Sequence, residues 1–139
     1  MIDVTEILKD ADWEKREPAK PETIQNLTDY APAELPKEYL DLLRYSDGGE
    51  GKINLETGWF ILWSSVEVIE LNKGYEIDKN LPGYFGFGSN GGGELLAFDM
   101  ETGRPWKVVV IPFIPMSARE AEVIANNFEE FIKAIGRDF

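Results

Sequence analysis

Between Gly86 and Gly93 the chain reads GFGSNGGG, five glycines in eight positions. A run this rich in glycine is poor helix material. The segments on either side, YF before it and ELLAFD after it, read as extended. The arrangement that accommodates all three is strand, tight turn, strand, with Asn90 and Gly91 expected at the positive-φ positions of the turn. Such a turn leaves bare main chain that another backbone can approach closely.

The first six residues of the run also satisfy G-x-G-x-x-G, the pattern of phosphate-cradling loops. A dinucleotide loop needs a helix directly after its last glycine, so that the pyrophosphate meets a helix N-terminus. Here Gly92 and Gly93 prolong the glycine run, and six residues of ELLAFD are too few for a crossover helix. A Walker loop would place Lys-Ser or Lys-Thr where Glu94 stands. A kinase-type glycine loop sits on a hairpin but works with an H-R-D loop, and this chain has no histidine. The glycines therefore read as architecture.

The missing residue types narrow the chemistry further. With no cysteine and no histidine in 139 residues, disulfides, thiolate metal sites, Ser-His-Asp triads and Cys-His pairs are all excluded. Catalysis would have to come from carboxylates, lysine or tyrosine. No cofactor or metal is expected. No run approaches 18 consecutive apolar residues, and MIDVTEILKDADWEK lacks the basic start and apolar stretch of a secretory signal, so a cytoplasmic, membrane-free protein is expected. The net charge of −12 is uneven: residues 1–103 hold 21 acids against 9 bases, and residues 104–139 hold five of each. That field repels nucleic acid and draws basic partners, although solubility alone also accounts for it.

Along the chain, Ile2, Ile7, Leu8 and Trp13 make a short amphipathic beginning that REPAKPE interrupts. ETIQNLTDY predicts a helix ending before Pro32. Leu35, Tyr39, Leu42 and Leu43 give the i, i+4, i+7, i+8 spacing of a second helix, with Pro36 in its first turn and Asp47-Gly48-Gly49 at its end. KINL and WFILW read as strands about Glu56-Thr57-Gly58. Ser64 or Ser65 can cap a helix through Val66, Ile69, Leu71 and Tyr75. Glu94–Met100 and Trp106–Ile111 form a hairpin about the turn 101–104. Asn126 or Asn127 caps a last helix with Phe128, Phe131, Ile132 and Ile135 on its apolar face and Gly136 closing it. The whole predicts one α+β domain, a mixed, mostly antiparallel curved sheet flanked by N-terminal helices, one inserted helix and a C-terminal helix. Residues 1–22 are expected as an extension packed on or preceding a domain of residues 23–139.

The candidate binding residues cluster at the two glycine turns. Asp47, Gly48, Gly49 and Glu50 follow the second helix; Ser89, Asn90, Gly91, Gly92 and Glu94 make the other turn, with Asp99 at the end of its strand and Trp106 past the hairpin turn. Asp47, Glu50, Glu94 and Asp99 could form an acidic rim for lysine or arginine of a partner, or cap turns and face water. Paired carboxylates also suit glycoside hydrolysis or calcium, but the spacing fits no standard calcium loop. Trp59 and Trp63, four apart on one predicted strand, share a face expected to be core. Tyr39 is expected in the core with a partner for its hydroxyl. Trp106 is expected nearer the surface.

Three blocks in order carry a family resemblance. LPKEYLDLLRYSDGGEG looks like L-P-x-x-Y-x-x-x-L-x-x-x-N/D-G-G. YFGFGSNGGGELLAFDM resembles an aromatic-rich strand, a Ser-Asn/Asp-Gly-Gly-Gly turn and a strand ending in Asp. NNFEEFIKAIG is similar to a closing S-F-x-E-F-L helix. Over roughly residues 23–136 the chain resembles the SUKH superfamily, which includes the SMI/KNR-like cell-wall regulators of fungi and many bacterial immunity proteins. The resemblance implies the α+β fold with a mixed, curved sheet. It also implies a non-enzymatic module, in bacteria an immunity protein that neutralises a cognate toxin of nuclease or deaminase type. A regulatory scaffold is the alternative, and a carboxylate-based hydrolase a second. The expected partner is a basic protein, with no direct nucleic acid and no membrane, and the expected state is monomer or weak dimer. One departure is that WKVVVIPFI lacks the histidine often found in that strand of the family.

Overall fold

Seven strands pair in strict chain order, each antiparallel to the next, in a computed structural model that describes residues 2–137. Helix α1 (Val4–Lys9) leads into β1 (Trp13–Lys15), and α2 (Pro21–Tyr30) and α3 (Lys37–Tyr45) precede β2 (Gly49–Lys52) and β3 (Trp59–Leu62). Next come α4 (Ser65–Gly74), the single turn α5 (Ile77–Asn80), and β4 (Tyr84–Ser89), β5 (Glu94–Asp99) and β6 (Lys107–Pro112). A 3-10 turn at Ala118–Glu120, β7 (Glu122–Ala125) and α6 (Phe128–Ala134) follow. This is the single α+β domain expected from the sequence, with every pairing antiparallel among the described residues.

The helix ends obey local chemistry. Ser64 and Glu67 make a reciprocal capping box at α4. Burial works against the Glu67 carboxylate, but the Ser64 backbone N–H, the Arg16 guanidinium and the Ser64 hydroxyl outweigh it and hold its carboxyl below the usual range. At α6, Asn127 Oδ1 accepts from Glu130 N at 2.9 Å while Glu130 Oε1 accepts from Asn126 N at 2.9 Å.

Register divides the sheet into two faces. On the front lie Phe60 and Leu62 of β3, Leu96 and Phe98 of β5, and Val108 and Val110 of β6, all buried. Tyr39 from α3 and Phe128 and Phe131 from α6 cover them. Tyr39 stands edge-on to Phe98 at 5.4 Å, Phe87 stacks on Phe98 at 4.5 Å, and Phe131 meets Phe60 at 6.1 Å. Each such pair adds about 0.5–1.5 kcal/mol beyond its buried area. Contrary to expectation, no protein group bonds to the Tyr39 hydroxyl. Burial, and then the Asp47 carboxylate, push its ionisation far above the ordinary phenol range, so it stays neutral.

The back face is closed over one half only. Leu95, Ala97, Val109 and Ile111 are buried there. A Cβ at Gly86 would lie 2.9 Å from Ile77 Cδ1 and 3.3 Å from the Trp63 ring, so this glycine makes room for the two side chains that cover β4. Strand β3 pairs with β4 only at Ile61–Ser89 and Leu62–Gly88 and then leaves, after Trp63 N donates to Phe87 O at 3.1 Å. A bulge between Gly86 and Gly88 follows. Asn72 of α4 replaces the departed strand. Its Oδ1 accepts from Gly86 N at 3.1 Å, and its Nδ2 donates to Gly86 O at 2.8 Å and to Val68 O at 2.7 Å.

Several expectations are corrected. The strand expected at KINL is Gly49–Lys52, displaced because Gly49 and Gly51 are pairing residues. A Cβ there would lie 2.7 Å and 2.9 Å from Trp13, whose side chain lies against them. The first segment thus contributes the edge strand β1 as well as α1, and α5 and β7 are further elements that the sequence pattern does not announce. Helix α4 buries Ser65, Val68 and Asn72, while Val66 and Tyr75 of the predicted apolar face are exposed. Trp59 and Trp63 both lie on the back of the sheet, but only one is core: Trp59 is 43% exposed, while Trp63, 7% exposed, packs over β4 at Gly86.

Asn72→Ala strands the buried N–H and C=O of Gly86, a cost of about 2–4 kcal/mol. Equilibrium urea unfolding is expected to show that loss, whereas Glu70→Ala, on the exposed side of the same helix, stays within about 0.5 kcal/mol. Equal effects would mean that the carboxamide does not hold β4.

Candidate functional site

The structure does not gather the predicted residues into one rim. The first glycine turn is a structural junction. Asp47 Oδ1 accepts from Ser65 N at 2.7 Å, Asp47 N donates to Glu17 O at 2.8 Å, and Ser46 Oγ accepts from Arg16 N at 2.8 Å. Gly48 and Gly49 are buried at positive φ, and a Cβ on Gly48 would lie 2.6 Å from Leu62 O. Asp99 is 7% exposed, its oxygens accepting from Glu101 N at 2.9 Å and Thr102 Oγ1 at 3.2 Å. This Asx-type turn was legible in Asp-Met-Glu-Thr-Gly but was read there only as a hairpin turn. Trp106, expected nearer the surface, is 5% exposed because it packs on Phe98 under the Arg104 guanidinium, 4.2 Å away. With Pro36, Pro105 and Phe128 it floors a cleft of about 470 Å³.

At the second turn, Asn90 acts through its side chain and not through a positive φ, which Glu76 alone shows among the described non-glycine residues. Asn90 Oδ1 accepts from Gly92 N at 2.8 Å and Glu94 N at 3.0 Å, and Nδ2 donates to Glu94 Oε1 at 2.7 Å. The Glu94 carboxylate is thereby tied to the loop. Gly91 and Gly93 carry the positive φ values, 77° and 99°; Gly92 does not.

At β1–β3 the back of the sheet presents side chains outward without cover. Register places Glu14, Glu50, Ile61 and Ser89 in one row across β1, β2, β3 and β4, on the back face, with Lys52 and Trp59 one pair further along. Trp59 Nε1 lies 3.4 Å from Glu50 Oε2. The loop of the second turn borders this patch: a Cβ on Gly91 would lie 3.3 Å from Ile61 Cδ1 and 3.6 Å from Trp59 Cδ1. Of the predicted residues, Glu50, Ser89, Asn90, Gly91 and Gly92 are therefore beside this surface. Glu14, Trp59 and Ile61 were missed as site residues. For Glu14 and Ile61 the available signal was alternation in WEK and WFIL, but which phase faces outward was not determined.

This surface combines carboxylates with an aromatic ring whose edge and face are reachable. It can hold cations and bury apolar area; it has no enclosed cavity for a small substrate. Among the described residues no group of three or more Asp or Glu is arranged to hold a metal ion, and no helix is long and apolar enough to cross a membrane. Residues 18–134 match the sequence model of the SMI1 / KNR4 family (SUKH-1). No curated protein matches the chain significantly.

Gly91→Val and Gly92→Val, two changes that the sequence treats alike, are expected to separate. At Gly91 a β-branched residue takes φ 77° against Ile61 and loses about 1–3 kcal/mol. At Gly92, where the nearest atom to a Cβ is 3.6 Å away, the change stays within about 0.5 kcal/mol. Denaturant midpoints of the two variants decide it; coincident midpoints would contradict the assigned turn geometry.

Proposed function

We propose that this chain, which belongs to the SMI1 / KNR4 family (SUKH-1), is a non-enzymatic protein-binding module that acts as an immunity protein. Its partner is a cognate toxin domain of nuclease or deaminase type. The observation that carries the reading is the uncovered back face of β1–β3, where Glu14, Glu50 and the half-exposed Trp59 lie together in a chain of net charge −12. A nucleic-acid-processing toxin must present a basic groove to its substrate. An acidic, aromatic surface occupies such a groove by charge complementarity and excludes the substrate sterically.

The binding set follows from what the fold leaves accessible. Glu50, Ser89, Asn90, Gly91 and Gly92 border the patch and are proposed as contacts together with Glu14, Trp59 and Ile61. Asp47, Gly48, Gly49, Glu94, Asp99 and Trp106 are proposed to act indirectly, by holding the turns and the core that shape the face. The absence of histidine and cysteine supports a binding role over an enzymatic one.

The test is co-purification with the product of the adjacent gene, followed by association kinetics at rising salt. Screening shortens to about 8 Å at physiological strength, so the association rate should fall steeply as salt increases. Glu14→Gln with Glu50→Gln should slow association more than the control pair Glu22→Gln with Glu70→Gln on α2 and α4. Failure to bind any neighbouring toxin domain would favour the regulatory-scaffold reading. Greater sensitivity to the control pair would place the interface on another face.

A further inference from the structure

We infer that the back face of β1–β3 carries a seat for one arginine side chain of a protein partner, formed by Glu14 and Glu50 with the Trp59 indole as its stacking wall. The inference rests on the protein-binding reading of this same face and adds the chemical identity of the group received.

The first observation is an electrostatic cost. Glu14 and Glu50 are direct cross-strand partners on one face of an antiparallel pair. Like charges in that position destabilise the ladder. Several carboxylates on the helices have a base beside them: Glu6 has Lys9, Asp41 has Lys37 and Arg44, Glu76 has Lys79, and Glu129 has Lys133. The Glu14 side chain makes no hydrogen bond or ion pair among the described residues. The bases nearest in sequence are committed, Lys15 to the Tyr45 ring and the Arg16 carbonyl, Lys52 to Asp12 at 3.3 Å. A partner that brings a cation between the two glutamates relieves the repulsion, so this part of the sheet gains more from binding than a neutral one would.

The second observation is shape. Asp12, Glu14, Glu50, Lys52 and Trp59 line a shallow cavity of about 230 Å³. That lies below the roughly 300–1,000 Å³ of small-molecule pockets and suits a single long side chain. One wall is Trp59, 43% exposed, with its indole N–H turned to Glu50. Gly91 keeps the approach over Ile61 and Trp59 free of a side chain.

These features select arginine over lysine. A planar guanidinium stacks on an indole and still directs donors in its own plane to two carboxylates. An ammonium has donors for both carboxylates but no planar face to lay on the indole. The fold already uses the same stack within itself, Arg104 lying 4.2 Å over Trp106.

The test titrates ¹⁵N-labelled protein with acetyl-Arg₄-amide and with acetyl-Lys₄-amide, following the indole N–H of Trp59, identified through Trp59→Phe. Saturable shifts of that signal and of the Glu50, Gly51 and Gly91 amides are expected. Arginine should bind at least about threefold tighter than lysine. Glu14→Gln with Glu50→Gln should weaken arginine binding about tenfold while raising the thermal midpoint by about 1–3 °C, because the same repulsion is removed. That opposite pair of changes distinguishes a seat from a structural contact. Shifts centred on another surface, equal affinity for the two peptides with no effect of Trp59→Leu, or a lowered midpoint in the double variant would each overturn the seat. Because no toxin enters this experiment, a saturable arginine seat without a toxin partner would sink the immunity reading alone. Toxin binding indifferent to Trp59→Leu would sink the seat alone.

Discussion

Gly86 gives both of its backbone groups to one side chain, the Asn72 carboxamide, and the shape of the sheet follows from that exchange. An unpaired N–H and C=O inside the protein would cost free energy comparable to lost hydrogen bonds. Strand β3 stops supplying partners at Phe87, so β4 could continue beyond it only if something else did. Asn72 fixes α4 there, and the missing Cβ of Gly86 lets Ile77 and Trp63 close over the back of β4. The cover does not extend over β1–β3. The uncovered half of that face is therefore a consequence of where β3 leaves the sheet.

The charges divide along the same line. On the helices, carboxylates and bases three or four residues apart pair locally, and such exposed pairs add little stability. At the capping box, Glu67 is held ionised by Ser64 and Arg16, so its contribution is present above the ordinary carboxyl range and is lost as pH falls through its lowered value. On the open sheet face the pattern changes. Two glutamates stand opposite each other, with Lys52 of the same face drawn to Asp12, beside a tryptophan that the core does not cover. Stability is given up there on a face that is open to contact with another molecule.

The glycines do different work in each half. Gly49 and Gly51 let Trp13 lie against β2, Gly86 and Gly88 let Ile77 and the Ile61 carbonyl approach β4, and Gly91 and Gly93 turn the chain. None of these roles calls on a phosphate. The GFGSNGGG run is thus two functions end to end: close packing in its first three residues, reversal of direction in its last three.

The sequence by itself determined whatever depends on neighbours a few residues apart. The stripe Tyr39, Leu42 and Leu43, the Asn127 cap of α6, the hairpin of β5 and β6, and the chemistry excluded by the lack of histidine and cysteine were all legible, because capping, helical spacing and turn formation act over three to five residues. The tertiary structure decided whatever depends on which strands meet. WEK became a strand only by pairing with residues nearly forty positions away. Trp59 and Trp63 differ in burial because Trp63 lies over β4 at Gly86 while Trp59 stays exposed beside β2. Asn72 is buried on α4 because its partner is the backbone of Gly86 in another element, a pairing that helical spacing does not register. The outward phase of WFIL, and with it the candidate site, was likewise set by the tertiary fold. A one-residue change of register would have exchanged its two faces, and local sequence carries almost no free energy to choose between them.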